Sequence, residues 1–109
     1  MPPSEPKSSL QLLDQHYSVP HHVVHRAFAA ETVVLNLKTG SYHGLNPVAG
    51  RILEVLEETG DPHAAVDRVA AEWAVEQERV EADAVHLCAD LLERGLIEQA
   101  ESDGDRSSH

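Results

Sequence analysis

Residues 32–47 read TVVLNLKTGSYHGLNP, and the way this stretch folds decides the rest. Val33, Leu35 and Leu37 alternate with Val34 and Asn36, the period of two that lays one set of side chains on a buried sheet face. Lys38-Thr39-Gly40 supplies a turn, with Gly where a positive φ is cheap, and Ser41 to Leu45 returns as an antiparallel strand. Asn46-Pro47 is a helix start: a side-chain oxygen that accepts from the first turn, then a residue with no N–H to satisfy. The hairpin therefore runs into a helix with almost no loop, and the remaining chain is expected to pack on that corner.

Upstream, residues 17–28 (YSVPHHVVHRAF) are rich in β-formers, with Val23, His25 and Ala27 on one side and Val24, Arg26 and Phe28 on the other. Pro20 confines this strand to starting after it or lying at an edge. Downstream, Val48, Ile52, Leu53, Val55 and Leu56 mark a first helix from Pro47 to about Glu58, closed by Gly60. Asp61-Pro62 opens a second helix, with Ala65, Val66, Val69, Ala70 and Trp73 along its apolar face. A third runs from about Glu78, with no good N-cap, to Arg94, where Gly95 stops it and Leu96-Ile97 returns to the core. The expected fold is α+β and winged helix-turn-helix-like: a three-stranded antiparallel sheet followed by three helices. Residues 1–16 read as a flexible arm with a turn of helix at its leucines, 17–99 as one domain and 100–109 as a disordered tail.

The third helix carries an anomaly. Val80, Ala84, Leu87 and Leu91 fall within a narrow arc, as a core face requires, but Val85, Cys88 and Leu92 extend the apolar surface beyond it. That flank packs on other elements of the fold or walls an exposed groove.

Composition narrows the function classes. With 19 acidic against 8 basic residues the net charge is −11, a field that repels polyanions, and one Trp, one Phe and two Tyr make no base-stacking surface. A single Cys88 excludes an internal disulfide, no apolar run approaches bilayer length, and the N-terminal residues lack the apolar core of a signal peptide. A cytoplasmic protein with neither nucleic-acid nor membrane partner is expected. His21, His22 and His25 cluster, yet in a strand His22 points away from the other two and no second ligand group completes a metal site. His86, Cys88 and Asp90 lie two apart on a helix and do not face one another. No glycine-rich phosphate loop and no catalytic constellation is present, so a binding function without cofactor or metal is expected.

The succession ETVVLNLKTGSYHGLNPVAGRILEVL (31–56), DPHAAVDRVAAEW (61–73) and the closing LLERGLI (91–97) resembles the PqqD family. Its members are peptide chaperones, or precursor-peptide recognition elements, of ribosomally synthesised and post-translationally modified peptides. The resemblance implies that the chain binds the leader region of a precursor as a strand added to the third strand, beside the third helix. The cargo then goes to a tailoring enzyme such as a radical SAM enzyme or a leader peptidase. On this reading Tyr42, His43 and Gly44 form the strand side of the site, and Val85, Cys88, Ala89 and Leu92 the helix side. Leu10, Leu12 and Leu13 of the arm could fill the same groove, giving a homodimer through the arm or a self-occluded state. The alternative is a winged-helix DNA-binding transcription regulator. Against it, the third helix presents Glu81, Asp83, His86, Asp90 and Glu93 where a recognition helix carries Arg, Lys, Asn or Gln.

Overall fold

The computed structural model describes residues 11–100. Residues 1–10 of the expected arm, Leu10 among them, and 101–109 of the expected tail lie outside the described residues. In chain order the elements are a 3-10 turn (Leu12–Asp14), β1 (His16–Ser18), β2 (Val23–Ala27), β3 (Thr32–Asn36), β4 (Tyr42–Leu45), α1 (Pro47–Thr59), α2 (Pro62–Trp73), α3 (Gln77–Glu93) and β5 (Glu98–Ala100). The expected α+β architecture is present: β2, β3 and β4 form an antiparallel sheet in that order, and three helices follow.

The hairpin forms as its residues dictate. Gly40 takes φ 78° in the turn. Asn36, buried at 7% exposure, is satisfied there: its Oδ1 accepts from the amides of Lys38 (2.9 Å) and Thr39 (3.3 Å). β4 then enters α1 through Asn46, whose Oδ1 accepts from the Ala49 amide at 2.8 Å, and Gly60 at φ 74° ends that helix. Asp61 caps α2 by accepting from the His63 amide at 3.0 Å. α3 starts after Glu76 with no side-chain cap, as its sequence implies.

The buried sheet face is Thr32, Val34 and Asn36 of β3 with Val23 of β2 and Leu45 of β4. The more apolar alternate set, Val33 and Leu35 with Leu37 beyond the strand end, lies outward, and Leu37 is 58% exposed. Close approach of α1 explains the choice: Gly50 meets the sheet at Thr32, where an added Cβ would fall 2.6 Å from the Thr32 Cβ. Below the sheet, Ile52, Leu53, Val55 and Leu56 of α1 meet Ala65, Val66 and Val69 of α2 and Val80, Ala84, Leu87 and Leu91 of α3 in one core.

One sheet of two strands has no counterpart in the expected fold. β1 pairs with β5, placing Tyr17 opposite Gln99, and so ties the two ends of the described chain together. Tyr17 is 2% exposed; its hydroxyl donates to the Leu12 carbonyl at 2.7 Å, and burial pushes its pKa up to about 12, with Cys88 adding to the rise. Leu13 of the 3-10 turn is buried at 1% exposure and belongs to the core.

Candidate site between the β4 edge and α3

Among the described residues β4 is an edge strand, so half of its main-chain groups have no sheet partner there. The Asn36 amide donates to the Ser41 carbonyl at 2.9 Å, which sets the phase of the antiparallel ladder. Ser41, His43 and Leu45 accordingly turn their main-chain groups to β3, while Tyr42 and Gly44 turn theirs to the open side. Side chains alternate the other way: His43 and Leu45 share the inner face with Val34 and Thr32, whereas Tyr42 stands outward at 77% exposure. Gly44 leaves room for the Glu31 carboxylate, which an added Cβ would meet at 2.7 Å.

Between this corner and α3 lies an open cleft of about 430 Å³, lined by Asn46 and Ala49 from the start of α1 and by Asp83, His86, Leu87 and Asp90 from α3. The four helix residues are spaced i, i+3, i+4 and i+7, a single stripe. Its apolar part is Leu87 with Ala49; its polar part is two carboxylates and an imidazole. His43 reaches across the inner face, its Nε2 3.0 Å from Asp90 Oδ2, and Arg94 Nε donates to Asp90 Oδ1 at 2.9 Å. On the same inner face His25 Nε2 lies 2.7 Å from Glu57 Oε1.

Tyr42, His43 and Gly44 follow one another along β4, with the His43 side chain on the inner face and the Tyr42 side chain on the outer one. The helix side differs. Cys88 is fully buried, with burial pushing its thiol up to about 12, so it contributes no surface to the cleft. Val85 and Leu92 are half-buried against the core, and Ala89 is exposed but outside the lining. At 100° per residue these four positions stand roughly 110–170° round the helix from the cleft stripe. The apolar arc of α3 is wide because Val85 and Leu92 pack on the core side away from β4. The opposite flank, Asp83, His86 and Asp90, faces the start of α1 across the cleft, and Asp90 reaches His43 of β4. Helix periodicity separates the two flanks but does not say which one meets the sheet, since that depends on how the helix is docked. Neither Leu12 nor Leu13 lines the cleft.

Among the described residues no helix is long and apolar enough to cross a membrane, and no group of three or more His, Cys, Asp or Glu is placed to hold a metal ion.

Residues 31–97 match the family described as Coenzyme PQQ synthesis protein D (PqqD). The chain is also similar to the solved structure of TbiB1 in complex with the TbiA(beta) leader peptide, at 34% identity and TM-score 0.66, covering 78% of this chain and 99% of that one. A likeness of fold extends to lasso peptide synthetase B1 complexed with the leader peptide, at 23% identity and TM-score 0.65, covering 76% of this chain and 98% of that one. No curated protein matches the chain.

Proposed function

We propose, on the premise that this chain belongs to the PqqD family, that it binds the leader region of a ribosomally made precursor peptide and holds it for a separate tailoring enzyme. The observation that carries this reading is the edge of β4, unpaired among the described residues, beside an open cleft. An extended peptide pairing with the outward groups of Tyr42 and Gly44 becomes a fourth strand, and its alternate side chains point into the cleft against α3. Main-chain pairing supplies affinity, and the cleft chooses the side chains. That TbiB1 is solved with a leader peptide, at 34% identity over most of the chain, supports the same reading.

The role asks for no catalysis by this chain. The side chains of His25, His43 and His63 reach Glu57, Asp90 and Asp14 rather than a hydroxyl or thiol, and Cys88 is enclosed with its thiol held protonated. A tailoring enzyme is the second partner, and a cytoplasmic setting suits a protein with a lone buried thiol. Nucleic-acid binding is disfavoured by the acidic exterior of α3, which would meet phosphate with Asp83 and Asp90.

The test is titration of ¹⁵N-labelled protein with the leader peptide of a precursor encoded beside it. Amide shifts concentrated at Tyr42, Gly44 and along Asp83 to Asp90 are expected. Tyr42→Pro removes an outward N–H that has no sheet partner and, at an edge, leaves the sheet intact. It should weaken leader binding by about tenfold, the scale of one lost hydrogen bond. Unchanged binding in that variant, with the fold verified by circular dichroism, would sink strand addition at β4.

A further inference from the structure

We infer that the leader segment received by this cleft carries a Lys or Arg side chain at a position facing α3, and that Asp83 is the residue that selects it. This rests on the leader-binding reading above and specifies its ligand.

The argument starts from the shape and chemistry of the stripe. Leu87, 6% exposed, and half-buried Ala49 offer an apolar surface, and Asp83 and Asp90 flank it one helical turn to either side. An apolar wall with carboxylates beside it fits a side chain that has an aliphatic stem and a cationic head, as Lys and Arg do. The two carboxylates are not equivalent. Asp90 is occupied at both oxygens, by Arg94 Nε at 2.9 Å and by His43 Nε2 at 3.0 Å, which fixes it against the strand. Asp83 is exposed and makes no side-chain hydrogen bond or ion pair among the described residues. It is the carboxylate of the cleft still available to a ligand. His86, between the two, is exposed and makes no hydrogen bond or ion pair to Asp83 among the described residues.

The field of the whole molecule acts in the same direction. A net charge of −11 attracts a cationic segment and slows the approach of an acidic one. The peptide backbone fills the β4 edge whatever its sequence; the charge test is applied only where a side chain turns inward. Asp83 thus serves specificity, and the strand edge serves affinity.

The experiment is a double-mutant cycle by calorimetry at low and high salt, using the leader peptide of the neighbouring precursor and variants in which each Lys or Arg is replaced singly by Gln. Asp83→Asn lies on an exposed helix position, so the fold is retained. Asp83→Asn should weaken the parent leader about three- to tenfold at low salt, and one Lys→Gln or Arg→Gln leader should lose the same factor while becoming insensitive to Asp83→Asn. The difference should shrink as salt rises. Equal binding of the parent leader by Asp83→Asn and unaltered protein, or a bound stretch with no basic residue, overturns this inference alone when Tyr42→Pro still weakens binding about tenfold. A chain that binds no leader at all, or one whose binding ignores Tyr42→Pro, fails the parent reading and this inference with it.

Discussion

His63 illustrates how a single surface residue links distant parts of the chain. Its Nε2 lies 2.8 Å from Asp14 Oδ1, joining α2 to the 3-10 turn. The hydrogen bond to the Asp14 carboxylate raises the imidazole pKa above its ordinary value of 6.5, against a smaller opposing effect of burial, and Asp14, Asp61 and Glu81 add their charge. A pKa raised in the folded state means that the contribution is complete below the unfolded value and fades as pH climbs through the folded one. His63→Gln should therefore lower Tm by about 2 °C at pH 5.5, a small effect because both side chains are half in water, and leave Tm nearly unchanged at pH 8.5. Thermal melts at the two pH values decide it, and equal losses at both would show that the pair acts by packing alone. At the same scale the Asn36 contact is local: its Oδ1 accepts from amides two and three residues on and needs no tertiary partner, although the strand alternation alone did not single it out. Asp83 was legible as an acid but not as a cleft residue.

Among the elements, α1 is held against the sheet at one narrow point. Gly50 is buried at Thr32, itself 3% exposed, and a methyl there has nowhere to go. Gly50→Ala should cost about 1–3 kcal/mol through overpacking, lowering Tm by roughly 5–20 °C at this chain length. A denaturation series measures it, and an unchanged midpoint would mean that α1 can lift from β3 without loss. The α1 and α2 boundaries could be read from Asn46-Pro47, Gly60 and Asp61-Pro62 because caps and prolines act through neighbouring residues. The inner face of β3 could not. Period two distinguishes Val33 and Leu35 from Thr32, Val34 and Asn36, but the smaller set faces inward because a helix with glycine at its contact point lies against it.

For the whole molecule the closure of the described chain by β1 and β5 matters most. β1 and β5 each have three residues and meet across most of the chain, so neither carries a periodic signal strong enough to be seen alone. Leu13 follows from that closure: the turn it occupies is drawn in beside Tyr17 and the core takes it up. Leu13→Ala should cost about 2–5 kcal/mol, seen as a lower guanidinium midpoint, while leader affinity of the folded protein is unchanged. If the variant instead kept its stability and bound leader more tightly, Leu13 would be an occupant of the cleft and not part of the core.

By itself the sequence determined the hairpin, the order and ends of the helices, the acidic field and the family resemblance. All of these depend on neighbouring residues, on periodicity or on simple counts. Tertiary structure alone decided which alternate set of β3 faces inward, that Cys88 is enclosed, that β1 pairs with β5, and which flank of α3 lines the cleft. Each of these depends on the rotation and docking of one element against another, a choice made by close contacts such as Gly50 on Thr32 that no single element encodes.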